Sequence, residues 1–199
     1  MADGDSVKVV GIYGSPRQSG NSATLLDAAL EGAESAGAHV TRIWLARQDV
    51  APCQNCQYCS SHGECHIKDD MQVVYDALDN SDVVLLGAPI YFCSLCAQAK
   101  TMIDRCQPYW ARKYVLKQDP PRRGRIGGFV CCCGFKDDRF LKCTEQIVKT
   151  WYFIMGIAYQ GCCFVPGLDA LGDAAKNKTA IDDAAQYGRS LAERAEELR

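Results

Sequence analysis

The sequence has no long uninterrupted apolar run and no excess of basic residues. Its longest apolar runs, such as Val83–Ala88, end far short of the roughly 20 residues that cross a bilayer. The 22 basic residues are balanced by 24 acidic ones, which leaves no basic field to hold the phosphates of a nucleic acid. The acidic N-terminus also lacks the basic and apolar regions of a signal peptide. We therefore expect a cytoplasmic protein with no nucleic-acid and no membrane partner.

Cysteine, in contrast, is abundant. The chain has 13 cysteines, an odd number, and three of them are consecutive at positions 131–133. In a reducing compartment such cysteines indicate metal or redox chemistry rather than a disulfide framework. The 199 residues are 48% hydrophobic and 23% charged, which is close to the composition of globular domains. We expect one domain over residues 1–199, with a core large enough to fold alone.

Short apolar runs alternate with helical patterns along the chain. Strands are predicted at residues 7–13, 40–45, 83–87, 126–133 and 157–165. Helices are predicted at residues 25–33, 69–78, 97–106, 137–155 and 181–198. This alternation predicts an α/β protein whose parallel sheet is covered on both faces. The segment 108–125, which contains Pro120 and Pro121, is the least regular and is predicted to be a surface excursion.

The loop after the first predicted strand carries groups that bind phosphate. It spans residues 14–24 and leads into a helix, whose N-terminal amides favour an anion. Its side-chain donors are Ser15, Arg17, Ser19, Asn21, Ser22 and Thr24. Arg17 offers a guanidinium fork that can hold two phosphate oxygens. The loop contains no lysine and no G-x-G-x-x-G pattern, so a phosphate monoester is favoured over a nucleoside triphosphate or a dinucleotide. The alternative is a plain serine- and glycine-rich turn.

Two aromatic residues follow the buried third strand. The segment after this strand reads Pro89, Ile90, Tyr91 and Phe92. In open α/β sheets, ligands lie at the carboxyl ends of strands, near the point where the strand order reverses. Tyr91 or Phe92 can therefore lie against a flavin ring. Taken alone, such aromatic residues more often fill the core; together with the first loop, they favour a flavin site.

Four cysteines with the spacing C-x2-C-x2-C-x5-C lie in an insertion after the second strand, at residues 51–68. They are Cys53, Cys56, Cys59 and Cys65. Three thiolates at intervals of three can surround one face of an iron–sulfur cluster, and the fourth can close the same cluster after a longer loop. Zinc is the chemical rival, since His62 and His66 lie nearby. Unliganded thiols in a loop are the third alternative.

These patterns match those of a known family. Gly14–Arg17, followed by Asn21 and Ser22, fits the loop G-S-x-R-x-x-(x)-N-(S/T), and residues 89–92 with 100–105 fit P-x-Y-F…K-x-x-x-D-R. In both features the chain resembles the flavodoxin-like NAD(P)H-dependent FMN reductases, over residues 7–105. The cysteine motif resembles that of their iron–sulfur flavoprotein branch, whose members carry FMN and a 4Fe–4S cluster.

The resemblance implies a flavodoxin-like three-layer sandwich with a five-stranded parallel sheet in the order 2-1-3-4-5. It implies that the FMN phosphate is bound by Ser15, Arg17, Asn21, Ser22 and Thr24. It implies that the flavin ring is framed by Pro89, Ile90, Tyr91 and Phe92, and by a third loop after strand four with Cys132, Cys133 and Gly134. It also implies that the cluster ligands are Cys53, Cys56, Cys59 and Cys65, and that the protein is a homodimer or homotetramer.

Three functions remain open at this point. The first is an electron-transfer flavoprotein, in which FMN takes electrons from NAD(P)H or a ferredoxin-type donor and a 4Fe–4S cluster passes them to a small-molecule or protein acceptor. The second is an FMN-dependent NAD(P)H:quinone or flavin reductase without a cluster. The third is a non-enzymatic, zinc-stapled module that binds a phosphate-bearing ligand. The first of them requires no catalytic acid, base or nucleophile from the protein.

Overall fold

The computed structural model describes residues 6–118 and 124–199. Its strands are β1 (Lys8–Tyr13), β2 (His39–Trp44), β3 (Val83–Tyr91), β4 (Ser94–Leu95), β5 (Ile126–Cys133) and β6 (Ala158–Pro166). Its α-helices are α1 (Asn21–Ser35), α2 (Tyr58–His62), α3 (Met71–Asn80), α4 (Ala97–Asp104), α5 (Gln107–Trp110), α6 (Arg139–Ile154), α7 (Asp173–Lys176) and α8 (Lys178–Glu197). A 3-10 turn (Leu45–Arg47) follows β2, and a π turn (Ala111–Val115) follows α5.

Five parallel strands form the body of the sheet in the order β2-β1-β3-β5-β6. When these five parallel strands are numbered in chain order without β4, their order is 2-1-3-4-5, so the predicted order is confirmed. The sheet has a sixth strand that the sequence did not predict, since β4 folds back antiparallel on the end of β3 and pairs Leu95 with Ile90. β3 is also longer than predicted. It continues past Gly87 because its last residues pair with both β5 and β4.

The segment 108–125 is more regular than its prolines indicated. α5 and the π turn occupy its first part, where Tyr109 and Ala111 are buried, so this part is not a surface excursion. Pro108 lies at the start of α5, where the missing N–H breaks no helical hydrogen bond. The Tyr109 hydroxyl donates to Asp79 of α3 over 2.8 Å. Pro120 and Pro121 lie outside the described residues.

Helices cover both faces of the sheet. Side chains of β1 alternate between the two faces, so that Val9 packs with α1 and α8, and Ile12 packs with α3, α4 and α6. Leu26 of α1 and Leu78 of α3 are fully buried on opposite faces. Each such side chain stabilises the fold by about 1.5–3 kcal/mol. Among the helices of the described ranges, none combines the length and apolar character that crossing a membrane requires.

α1 and α8 touch through their backbones at two glycines. A Cβ added to Gly188 would lie 1.7 Å from the carbonyl oxygen of Ala29, and one added to Gly32 would lie 1.9 Å from that of Ala185. Neither distance leaves room for a side chain, and a backbone carbonyl cannot rotate away as a flexible side chain can. The two glycines thus set the position of α1, whose N-terminus faces the loops at the sheet edge.

We expect Gly188→Ala to lower the free energy of unfolding by about 3 kcal/mol, because the helices must separate to admit a methyl group. This loss should occur even though alanine is the better helix former. Gly37→Ala is the matched control: Gly37 has φ +89° with nothing within 4 Å of an added Cβ, so only the backbone conformation, about 1 kcal/mol, is affected. Urea unfolding measures both. Equal losses would contradict the backbone contact.

Candidate active site and cysteine pocket

A cavity of about 700 Å³ lies at the carboxyl ends of β1, β3 and β5. This is the edge where the strand order reverses and where open α/β sheets bind ligands. Of the predicted cofactor residues, those that line the cavity are Ser15, Arg17, Asn21, Ser22, Pro89, Ile90, Tyr91, Phe92, Cys132, Cys133 and Gly134. Three loops that are far apart in the sequence therefore meet around one space. Its volume is within the usual range of cofactor sites, roughly 300–1,000 Å³.

Thr24 is the predicted cofactor residue that does not line the cavity. It lies one turn into α1, and its hydroxyl donates to the carbonyl oxygen of Gly20 over 3.3 Å. Threonine hydroxyls inside helices commonly bond back to the carbonyl four residues earlier. The contact between Thr24 and a phosphate therefore stays a prediction, and in this structure the hydroxyl is bonded to its own helix.

The N-terminus of α1 forms one end of the cavity. No side chain caps this helix, so its first amides, at Asn21 and Ser22, remain available to a ligand. Ser15 and Ser22 are buried, and Arg17 is exposed. The Ser15 hydroxyl accepts the amide hydrogen of Arg17 over 3.0 Å, which turns the loop back toward the helix. Hydroxyl, amide and guanidinium groups thus converge in a way that suits a phosphate.

Asn21 acts as a brace of the cavity wall. Its side-chain nitrogen donates to the carbonyl oxygen of Ala170 over 2.9 Å, and its side-chain oxygen accepts the amide hydrogen of Ala174 over 3.1 Å. Both partners lie in the segment that follows β6. Asn21 therefore holds that segment against the start of α1, a role that the loop motif alone did not predict.

Tyr91 and Phe92 stand at the tip of the β3–β4 hairpin. Phe92 is fully exposed and Tyr91 is 42% exposed, so the alternative that these residues fill the core is wrong. Phe92 and Cys93 have φ values of +49° and +60°. A two-residue hairpin turn requires such positive values and normally uses Asn or Gly for them. For other residues this conformation is unfavourable by of order 1–3 kcal/mol each, and such strain is concentrated at functional sites.

The β5–α6 loop forms the opposite wall. Cys132 and Cys133 are buried, and burial raises the pKa of the Cys132 thiol to about 12, so this thiol is neutral at physiological pH. The carbonyl oxygen of Cys133 accepts the amide hydrogen of Leu168 over 3.0 Å. A Cβ on Gly134 would lie 2.9 Å from Oδ1 of Asp169. Glycine at this position therefore lets the loops after β5 and β6 approach each other.

The sequence patterns left part of the wall unidentified. The further lining residues are Gly20, Cys93, Phe135, Phe140, Leu168, Asp169 and Leu171. Phe135 and Leu171 are each 61% exposed, and they give the cavity an apolar rim. Both follow strands whose carboxyl ends meet at this edge. The rule that located the first loops would have found Leu168, Asp169 and Leu171, had it been applied to the last strand.

The four predicted ligand cysteines line a second pocket, of about 220 Å³. Among the described residues, no lining residue is common to the two spaces. Cys53 and Cys56 are exposed, whereas Cys59 and Cys65 are half-buried. Burial raises the pKa of the Cys59 thiol, and negative charge on the other three cysteines raises it further. The four cysteines thus share one pocket.

The pocket has the donors of a metal centre without its closed geometry. Within residues 6–118 and 124–199, no three His, Cys, Asp or Glu side chains converge closely enough to hold a metal ion. Four thiols around one pocket nevertheless suit a soft metal or an iron–sulfur cluster. Nδ1 of the exposed His66 lies 3.3 Å from Sγ of Cys56, so this histidine is the one that the zinc alternative would use.

A buried ion pair closes the base of the cysteine insertion. The Arg105 side chain is fully buried and forms a bidentate pair with Asp69, with distances of 2.6 and 3.0 Å. Burial alone would raise the pKa of Asp69, but hydrogen bonds from Arg105 and from the amides of Ala51 and Met71 hold it below its usual value. Burial alone would lower the pKa of Arg105. The hydrogen bonds to Asp69 and the negative charge on Cys65 outweigh the effect of burial and raise this pKa.

Comparison with known proteins decides the family. Residues 7–165 match the family model of NADPH-dependent FMN reductase. An iron–sulfur flavoprotein of Archaeoglobus fulgidus is 34% identical over 190 residues, which cover 94% of this chain and 80% of the relative. The chain belongs to the NADPH-dependent FMN reductase family, in its iron–sulfur flavoprotein branch. This FMN reductase homologue is therefore a flavin-dependent oxidoreductase with FMN as its cofactor, and the non-enzymatic alternative loses its support.

Solved structures show the fold of this FMN reductase homologue. An NAD(P)H:quinone oxidoreductase from Methanothermobacter marburgensis has a TM-score of 0.71 and 17% identity, and the match covers 94% of this chain and 97% of that one. A flavodoxin from the domain Archaea has a TM-score of 0.57 and 14% identity, with 95% and 99% covered. The predicted flavodoxin-like fold is confirmed, with β4 as an additional strand.

The strained hairpin yields a prediction about stability. We expect the double substitution Phe92→Asn and Cys93→Gly to raise the free energy of unfolding of the FMN-free protein by about 1–2 kcal/mol, because both new residues accept a positive φ. The Phe92 side chain is exposed, so little packing is lost. Urea unfolding is the measurement. Phe135→Asn, at an exposed aromatic residue of the same rim, should give no gain; a loss in the double variant would show that the turn is unstrained.

Proposed function

We propose that this chain is an electron-transfer flavoprotein that couples FMN to a 4Fe–4S cluster. The observation that carries this proposal is that one chain presents two separate spaces, a cavity with phosphate donors and an aromatic rim, and a pocket with four thiols. The name of the Archaeoglobus relative supports the combination. The electron donor is NAD(P)H or a ferredoxin-type protein, and the acceptor is a small molecule or a protein. Residues 1–199 act as one FMN-binding domain with the cysteine insertion at 51–68.

The FMN phosphate is assigned to the N-terminus of α1. Arg17 has no ion-pair partner in the described part of the chain, so its guanidinium is available to a phosphate. Ser15 and Ser22 are buried beside it, and their hydroxyls supply donors that water does not displace. The positive end of the α1 dipole favours the same anion. Charge-assisted hydrogen bonds of this kind contribute about 1.5–3 kcal/mol each.

The flavin ring is assigned to the space between the β3–β4 hairpin and the β5–α6 loop. Tyr91 and Phe92 bound this space on one side, and Cys132, Cys133 and Gly134 bound it on the other. When bound, FMN supplies both the two-electron and the one-electron chemistry of the reaction. The role of the protein is to hold and orient the ring, and its apolar rim limits access of water. The neutral Cys132 thiol adds no charge near the ring.

The cluster is assigned to Cys53, Cys56, Cys59 and Cys65, whose thiols share one pocket. A cluster-free NAD(P)H:quinone or flavin reductase is the second candidate. One observation favours it, namely that no three potential ligands within the described ranges converge closely enough to hold a metal ion. Both candidates use the same FMN site, so the contents of the cysteine pocket separate them.

Cofactor content tests the two candidates directly. After anaerobic purification, FMN, iron, acid-labile sulfide and zinc are quantified against protein. We expect FMN together with about four irons and four sulfides per chain, and visible absorbance of the cluster that a reductant bleaches. FMN without iron would support the cluster-free reductase instead. Zinc without iron would favour the zinc alternative for the cysteine pocket.

Two substitutions test whether the sites are separate. We expect Arg17→Ala to raise the Kd for FMN by about 10- to 100-fold, because it removes a charge-assisted phosphate contact, and to leave iron content unchanged. We expect Cys59→Ala to abolish the cluster and to leave the Kd for FMN unchanged. Quenching of FMN fluorescence measures the Kd, and Arg194→Ala, which removes an exposed arginine on α8, is the control. Equal loss of both cofactors in each variant would refute the two-site assignment.

A further inference from the structure

Arg105 is one of the residues that line the cysteine pocket. Arg105 follows α4, is 1% exposed, and lines the same pocket as the four cysteines. Charged groups are rarely buried unless they are paired, and Arg105 is paired with Asp69. The other contacts of Arg105 show what it does in addition to pairing with Asp69.

Two of the guanidinium nitrogens tie the two ends of the insertion together. Nη1 donates to Asp69 over 2.6 Å and to the carbonyl oxygen of Ala51 over 2.7 Å. Nη2 donates to Asp69 over 3.0 Å and to the carbonyl oxygen of Ile67 over 3.5 Å. Ala51 begins the insertion, and Ile67 lies at its end. The residues between them, which include all four cysteines, thus form a loop whose base is closed by one side chain.

The third nitrogen, Nε, is buried and has no hydrogen-bond partner within the described residues. Buried polar groups are almost always hydrogen-bonded, so an exception calls for an explanation. The full set of donors on a planar guanidinium is fixed in direction, so this donor cannot turn to solvent without breaking the pair with Asp69. An acceptor that enters the pocket with a bound cofactor would satisfy it.

We propose that Arg105 is a positioning residue for the iron–sulfur cluster: it closes the loop that carries the four cysteines, and its charge and remaining N–H stabilise the sulfur ligands and raise the reduction potential of the cluster. This inference rests on the proposed function. Reduction of a bound cluster by one electron from reduced FMN would add one negative charge to the group that the four sulfurs would hold, and no proton would move at Arg105. A fixed positive charge beside that group favours the reduced state, since charge and hydrogen bonds to sulfur set such potentials.

The test compares variants of the holoprotein that differ in charge at position 105. Arg105→Met removes the charge, and Arg105→Lys keeps it without the fork. Because Arg105→Met leaves Asp69 buried without its partner, the double variant Arg105→Met with Asp69→Asn removes both charges and guards against misfolding. Lys100→Met is the matched control: it removes a positive charge from α4, where Lys100 pairs with Asp104 at the surface, outside the cysteine pocket.

The main measurement is a redox titration, with the cluster followed by electron paramagnetic resonance and the flavin by its visible absorbance. At a fixed potential, we expect the ratio of reduced to oxidised cluster to fall about tenfold in Arg105→Met, which for a one-electron couple is a potential about 59 mV lower. In the double variant the fall should be smaller, because loss of the Asp69 carboxylate offsets part of the lost positive charge. Arg105→Lys should show a smaller fall. The flavin couple in all variants, and the cluster couple in Lys100→Met, should not change.

Iron and FMN content of each variant complete the test. If the Arg105 variants lose iron but retain FMN, and Lys100→Met retains both, the result would support the role of Arg105 in closing the loop. An unchanged cluster potential in folded Arg105→Met and in the double variant would overturn the inference. Joint loss of iron and FMN would also overturn it, because this result would indicate a role of Arg105 in the fold alone. Absence of iron and sulfide from the unsubstituted protein would refute the proposed function itself, and is thus distinguishable from failure of the Arg105 proposal.

Discussion

The parallel pairing of β3 with β1 on one side and with β5 on the other is the constraint on which the structure depends. It aligns Gly87 with both Tyr13 and Val130, so the loops that follow three strands leave the sheet side by side. The hydrogen bond from the Gly14 amide to the carbonyl oxygen of Gly87, 2.7 Å long, extends this alignment into the first loop. The cavity is thus a product of strand register, and no single loop forms it alone.

Features with a local physical cause were predictable from the sequence. The alternation of strands and helices, the α1 loop and the proximity of the cysteines follow from apolar periodicity and motif spacing, whereas the strand order was implied by the family resemblance. The role of Asn21 was not predictable, because its partners are 149 and 153 residues away. The β3–β4 hairpin was missed because Phe92 and Cys93 are not residues that favour positive φ. Spacing also could not tell whether the cysteines close around a metal, since loop conformation decides this.

The two candidate sites rely on different physical means. The cavity is shaped by backbone: a helix N-terminus, a strained turn and the glycine at position 134, with little buried charge. The cysteine pocket instead depends on a buried ion pair, in which Arg105 and Asp69 are stable only together, because an unpaired buried charge is strongly unfavourable. Substitutions in the cavity should therefore change ligand affinity gradually. Substitutions of Arg105 or Asp69 should instead affect the conformation of the whole cysteine loop.

The brace formed by Asn21 has a consequence for the order in which the protein is assembled during synthesis. Its partners Ala170 and Ala174, and the wall residues Leu168 and Leu171, are translated after every strand of the sheet. The residues that line the cysteine pocket, by contrast, end at Trp110 and are translated before β5 and β6. In the order of synthesis, every lining residue of the cysteine pocket therefore precedes the last wall of the flavin cavity.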